Sequence, residues 1–180
     1  MRKVLHLMAT LTDNDVEWLA AHGRVRHVLT GTTLIQQGQP FGALMVLLEG
    51  QLSVRIGEHG DQEVATLYPG EVLGEISFVD ARPPSASVVV VRDAHVLAID
   101  RDTLTAKLER ESGFAARFYR GLALFLASRL RATTAHLGYG RGSTGPPEAE
   151  AIEGSELEEI SLAARRFDEM LRRLRTAGGL

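Results

Sequence analysis

Between Gly74 and Val88 the chain reads Gly74-Glu75-Ile76-Ser77-Phe78-Val79-Asp80-Ala81-Arg82-Pro83-Pro84-Ser85-Ala86-Ser87-Val88: a short helical turn, two prolines and small hydroxyl residues that lead into an apolar strand. The first amides of a short helix have no intrahelical partner and carry partial positive charge, so such a turn can hold a phosphate or a carboxylate. Glu75 can accept a hydrogen bond from a sugar hydroxyl, and Ser85 and Ser87 can donate to phosphate oxygens. A guanidinium would add charge-assisted bonds about twice as strong as neutral ones. Arg82 is the nearest one, and Pro83 and Pro84 stiffen the backbone between it and the serines. The competing reading of the same residues is a proline-stiffened turn between two strands that binds nothing.

Other groups with chemical potential are dispersed. The chain has no cysteine, which removes disulfides, thiolate catalysis and cysteine-based zinc sites together. His6, His22, His27, His59, His95 and His136 are scattered, with no His-x-His and downstream Glu or His to form a metal set. Asp100 and Asp102 sit at a strand-to-helix turn, where capping accounts for them. The sequence therefore reads as that of a non-enzyme. A net charge of −3 points to no nucleic-acid partner by bulk electrostatics. No run approaches the roughly 18 to 20 apolar residues needed to span a bilayer. Asp13, Asn14 and Asp15 interrupt the basic, apolar N-terminus before a signal-peptide core develops, so the expected location is the cytoplasm.

The elements that must position the Gly74–Val88 stretch are mostly short strands. Thr12 with Asp15 makes a capping pattern for a first helix bearing Val16, Leu19 and Ala20, which Gly23 ends. From Arg24 to Val91 short β-rich runs alternate with turns at Gly31, Gly38, Gly42, Gly50, Gly57, Gly60 and Gly70. Val25–Leu29 and Thr32–Ile35 are two such runs. Ala43–Leu48 and Leu52–Ile56 flank a predicted turn at Glu49-Gly50, and Val88–Val91 and His95–Ile99 flank another at Arg92-Asp93. The spacing predicts a mainly β protein: an eight-stranded double-stranded β-helix, or jelly roll, with flanking N- and C-terminal α-helices.

Three further stretches, Leu34-Ile35-Gln36-Gln37-Gly38-Gln39-Pro40, Met45 to Val54 and Leu67-Tyr68-Pro69-Gly70-Glu71-Val72-Leu73-Gly74-Glu75, stand in order with the Gly74–Val88 stretch. Together they resemble the cyclic nucleotide-binding domain family across roughly residues 10 to 135, in the form of a catabolite-activator-like regulatory domain. The resemblance implies that Gly74 to Val88 is the phosphate-binding cassette. Glu75 would then take the ribose hydroxyl, and the backbone of Gly74, Glu75, Ile76 and Ser77 and of Ala86 and Ser87 the phosphate. Ser85 and Arg82 complete the candidate site. The family places an Arg ten residues after the Gly, and here that position is Pro84.

After Asp100-Arg101 the period becomes helical. Asp102 or Thr103 can cap a short helix with Leu104 and Leu108. A longer helix from about Gly113 then carries Phe114, Phe118, Leu122, Phe125, Arg129 and Thr133 at three- and four-residue steps. The resemblance implies that this helix crosses the roll, closes over the ligand and pairs with its twin; Ser128, Thr133 and Thr134 are its candidates for touching a base. Residues 138–154 are rich in Gly, Pro and Ser and read as a flexible linker. Ser155 and Glu158 form a second capping pattern, and Ile160, Ala163, Phe167, Met170 and Leu174 mark one apolar face on a last helix, which must dock on the roll, pair with a copy or bind a partner.

The chain thus divides into a β-roll with its long helix (1–137), a linker (138–154) and an amphipathic helix (155–180). The family's DNA-binding members carry a winged helix-turn-helix after the long helix, and the sequence after His136 shows no recognition helix, so no direct DNA binding is expected. The expected function is a regulatory domain that couples a cyclic nucleotide, such as cyclic AMP, to a protein partner or homodimer through the helices at 114–135 and 155–176. The ligand is the sole small molecule implied, with no cofactor, metal or membrane. The alternatives are a degenerate roll that acts as an interaction scaffold, or a changed ligand such as a cyclic dinucleotide.

Overall fold

The computed structural model describes residues 6–57, 62–139, 154–178 and 180. Its element order is α1 (His6–Thr10), α2 (Asp13–His22), β1 (Arg24–Val28), β2 (Thr33–Ile35), β3 (Ala43–Ile56), β4 (Gln62–Leu67), β5 (Val72–Leu73), α3 (Glu75–Asp80), β6 (Ser87–Asp100), α4 (Arg101–Arg110), α5 (Ser112–Tyr139) and α6 (Gly154–Thr176). The helices hold more residues than the strands, so the β roll is the frame of the protein rather than its bulk.

Six strands are described where eight were predicted, and the difference has one cause. The hairpins expected at Glu49-Gly50 and Arg92-Asp93 are not reversals. Each predicted pair is a single 14-residue strand, β3 or β6. These two pair antiparallel from Ala43↔Asp100 to Arg55↔Ser87, with register shifts around Glu49 and Gln51. Gly50 sits there at φ +94, and a Cβ on it would run into Asp93 O and, at 2.6 Å, Ala94 Cα. A residue without a side chain lets the strand bend and twist at the bulge instead of turning back.

The two long strands form the spine of one six-stranded sheet in the order β1-β6-β3-β4. One end of the β3–β6 ribbon adds β1 on β6 and β5 on β3; the other end adds β2 on β6 and β4 on β3. Alternate side chains then serve two cores. Met45, Leu47, Leu52, Leu67, Val88, Val90 and Val96 fill the inside of the roll. Leu44, Val46, Leu48, Leu97 and Ile99 point outward and meet α1, α2, α4, α5 and α6. This is why β3 reads as a continuous apolar run: both of its faces are covered.

The helical layer follows the predicted Thr12 cap and the α5 stripe, whereas α6 begins at Gly154, which puts the predicted cap Ser155 inside the helix. Thr12 Oγ1 accepts from Asp15 N at 3.3 Å while Asp15 Oδ2 accepts from Thr12 N at 2.8 Å, the reciprocal capping box. Phe114, Phe118, Leu122 and Phe125 are buried along α5. Asp100, rather than Asp102 or Thr103, is the N-cap of α4. Helix α5 continues through Gly138 and Tyr139, so the predicted linker boundary shifts; residues 140–153 lie outside the described residues.

Of the three roles open to the last helix, the chain shows docking. Ala163, Phe167, Met170 and Leu174 of α6 are buried against the core shared with Leu7, Met8 and Leu11. Fully burying a side chain of this size stabilises by about 1.5 to 3 kcal/mol. A row of arginines borders the seam. Arg166 donates to Met8 O, Ala9 O and Asp13 Oδ1, Arg173 to Glu17, and Arg175 to Glu49. The described residues after α5 form this single helix, with no winged helix-turn-helix among them. No helix of the described residues is long and apolar enough to cross a membrane.

Candidate functional site

The roll opens on a cavity of about 350 Å³, within the size range of small-molecule sites. Its walls are mainly apolar: Ile35, Val54, Ile56, Val64, Leu67, Val72 and Val88 come from strands of the roll and its turns. Its polar rim comes from α3, from the segment after the prolines, and from α5.

Gly74 starts α3 in the left-handed region, at φ +79. A Cβ there would lie 2.7 Å from Phe41 Cε1 and 2.8 Å from Ala43 O, so both the conformation and the close approach demand glycine. As N-cap it makes no side-chain bond, and α3 opens with amides uncapped by any side chain. The other end of α3 is held by Arg101, which donates to Ser77 O at 2.8 Å and Phe78 O at 3.1 Å. Phe78 packs edge-on against Phe118 of α5, ring centroids 5.9 Å apart, which ties the turn to the long helix.

Six of the eight predicted site residues line this cavity: Gly74, Glu75, Ile76, Ser77, Ser85 and Ala86. Two do not. Ser87 is buried, and its Oγ accepts from Gln37 N at 3.0 Å and Gln36 Nε2 at 3.4 Å, so it ties the 36–37 loop to β6. Arg82 is exposed and outside the cavity lining, and its own amide donates to Asp80 Oδ1 at 3.0 Å. Pro83 and Pro84 fix the chain between Arg82 and the lining, and Pro84 itself occupies the wall. Arg82 therefore does not replace the missing guanidinium.

The guanidinium that does line the cavity is Arg129 of α5. Its Nη1 donates to Glu75 Oε1 at 2.5 Å, its Nη2 lies 3.6 Å from Glu71 Oε2, and it sits over the Phe125 ring at 4.8 Å. Thr133, one turn later, also lines the cavity, while Ser128 and Thr134 do not; both threonine hydroxyls donate back along the helix, Thr133 Oγ1 to Arg129 O at 3.0 Å and Thr134 Oγ1 to Leu130 O at 2.9 Å. Burial pushes the carboxyl of Glu75 up, against the opposing charge of Arg129. Burial likewise pushes Glu71 up, with Arg129 opposing and the charge of Glu75 adding to the rise. The sequence carried a signal for Arg129: a charged residue on the same stripe as Phe114, Phe118, Leu122 and Phe125 must face a partner inside. Nothing in the sequence marks Glu71 as its neighbour.

Among the described residues no group of three or more His, Asp or Glu side chains is placed to hold a metal ion. The site offers an apolar slot, a buried carboxylate, hydroxyls and one shared guanidinium.

Comparison with known proteins agrees with this geometry. The family model for the cyclic nucleotide-binding domain matches residues 25–111. The chain is 29% identical over 138 residues to the Pycsar effector protein XpPycTIR of Xanthomonas perforans, covering 72% of this chain and 45% of that protein. It is 32% identical over 123 residues to the cyclic AMP receptor protein of Thermus thermophilus, covering 67% of this chain and 55% of that one. The chain thus spans about half the length of these curated relatives. The solved Thermus thermophilus catabolite activator protein superposes with a TM-score of 0.62 at 26% identity, over 96% of this chain and 88% of that one.

Proposed function

Residues 25–111 belong to the cyclic nucleotide-binding domain family, and from that premise we propose that the chain is a regulatory unit whose roll cavity takes a cyclic nucleotide such as cyclic AMP or cyclic GMP. The observation that carries the reading is the Glu75–Arg129 ion pair, which joins the turn on the cavity floor to the long helix above it. A ribose hydroxyl that donates to Glu75 competes with Arg129 for the same carboxylate. Val54, Leu67, Val72 and Val88 in the wall would suit a purine, with Thr133 within the lining on the helix side. Occupancy then changes how α3 holds α5, through Arg129 and through the Phe78–Phe118 contact. A ligand moves such an equilibrium only through different affinity for the two arrangements, and competition for Glu75 supplies that difference.

The output is an interaction with another protein, a second copy being the first candidate. Tyr119 and Leu130 of α5 share one side of the helix and are exposed, the latter at 68%, and large apolar groups on one helix surface favour a partner. One of the relatives described above is named a cyclic AMP receptor, which fits regulation by a nucleotide.

A second reading is favoured by Pro84 in the cavity wall and by Arg82 outside it: a roll that binds no nucleotide and serves as a scaffold. A thermal-shift panel of cyclic AMP, cyclic GMP and cyclic dinucleotides separates the two. A ligand at about 100 times its dissociation constant adds roughly 2.7 kcal/mol of stability. The expected result is a shift with a cyclic mononucleotide that Glu75→Ala abolishes; no shift with any nucleotide favours the scaffold.

A further inference from the structure

The cavity's guanidinium is shared between two carboxylates, and only one of them faces the ligand space. Glu75 and Arg129 line the cavity; Glu71 does not, and it stands beside Arg129 at 3.6 Å while only 8% exposed. Its backbone is held on both sides: Glu71 N donates to Tyr68 O at 3.1 Å, and Leu47 N donates to Glu71 O at 2.9 Å. Glu71 is thus anchored next to the guanidinium by its own main chain. The groups that face it are Arg129 from α5 and Glu75 from α3. With all three ionised, the cluster holds one negative charge more than its single positive one.

A cyclic nucleotide brings a further negative charge into this space. Neither Pro84 in the wall nor the exposed Arg82 answers it. Arg129 is the cationic group in the lining, and both carboxylates draw on it.

Building on the nucleotide reading of the cavity, we propose that Glu71 is a positioning residue that makes ligand capture proton-linked: protonated, it gives up its share of Arg129, which then turns its charge to the anionic ligand. The direction of the linkage follows from charge. Burial holds the carboxyl of Glu71 up, Arg129 opposes and the negative charge of Glu75 adds, so its proton exchanges above the ordinary carboxylate range. An entering anion raises it further, so binding takes up a proton. Affinity therefore rises as pH falls through that range.

Calorimetric titration of cyclic AMP into wild type and Glu71→Gln, at several pH values between about 5 and 8 and in two buffers of different ionisation heat, tests this. Wild type is expected to take up protons on binding and to tighten toward low pH. Glu71→Gln, a permanent mimic of the protonated form, is expected to bind about tenfold more tightly at the high-pH end and to take up fewer protons than wild type, the remainder belonging to Glu75. Binding by Glu71→Gln where wild type fails to bind also supports the proposal. Equal affinity and equal pH slope in the two proteins overturn it while leaving the nucleotide reading intact. Absence of binding by both, with melts showing both folded, overturns the nucleotide reading and this proposal with it. Where Glu71→Gln does not fold, the wild-type buffer comparison decides: binding without proton uptake overturns the proposal.

Discussion

Arg129 Nη1 lies 2.5 Å from Glu75 Oε1, and this pair spans the cavity from the first residue of α3 to the fifth turn of α5. Glu75 is 3% exposed, so its carboxylate depends on that partner. Removing the partner leaves a buried charge uncompensated, which costs more than the intact pair is worth.

Arg129→Met should therefore destabilise the protein by about 2 to 3 kcal/mol, read from urea denaturation. Adding Glu75→Gln should restore most of that loss, because the uncompensated charge is gone. Additive losses in the double variant would show that the two side chains do not act as a pair.

Asp15 predicts an acid-sensitive link between the first helical turn and α5. Burial alone would raise its carboxyl, but Arg117, at 2.7 and 3.0 Å, and the Thr12 cap outweigh that and hold it below the usual range. The unfolded chain then takes up the proton first as pH falls, so this stability is present above the ordinary Asp range and is lost as pH drops through the folded value. Asp15→Asn should melt several degrees lower at neutral pH, and the gap should close toward pH 3. A gap constant with pH would contradict the ion pair.

Gly121 forms a notch in α5 where α1 sits. A Cβ there would meet Thr10 Oγ1 and lie 3.0 Å from Leu7 Cα, backbone with little room to retreat. Gly121→Val should cost about 1 to 3 kcal/mol by overpacking, measured as a lower midpoint in denaturant. A neutral effect would mean that α1 is not seated against α5.

The docking of α6 makes two outcomes testable together. Phe167→Ala should cost about 3 kcal/mol, the lower end of the usual range because Phe167 lies at the rim of the core. Removing residues 154–180 should uncover Leu7, Met8 and Leu11, lowering the melting temperature and raising the mass seen by light scattering. An unchanged melt would show that α6 is not held where it is described.

The exposed side of α5 carries the proposed pairing with a second copy. Tyr119→Glu with Leu130→Glu places charge on that face without touching the buried Phe118 and Phe125. Sedimentation should shift from dimer toward monomer with the melting temperature of the roll little changed. A monomeric wild type would assign the face to a different partner.

Much of the frame was legible because local physics writes it plainly. Thr12 and Asp15 announce a capping box through residue types at a fixed offset, and the α5 stripe announces itself through period. Gly74 and Glu75 stand where a turn must begin, and six of the eight predicted site residues do line one cavity. The strand count was not legible. Glu49-Gly50 has the composition of a hairpin turn, and only the unbroken pairing of β3 with β6 shows it as a bulge. The bond that Ser87 Oγ accepts from the Gln37 amide was not legible either, because its sequence neighbours do not say which distant group it meets.

The sequence by itself determined the Thr12–Asp15 cap, the apolar stripes of the helices and the turn at Gly74, since each depends on residue type and near-neighbour spacing; the absence of a guanidinium at Pro84 came from the family resemblance. Only the tertiary structure decided that the positive charge reaches the cavity from Arg129, 54 positions beyond Glu75 along the chain, and that Glu71 competes for it. It also decided that α6 covers α1 and α2. These are meetings between distant segments, set by how the bent strands and the helical layer pack, and no local period or propensity encodes which charges that packing brings within reach.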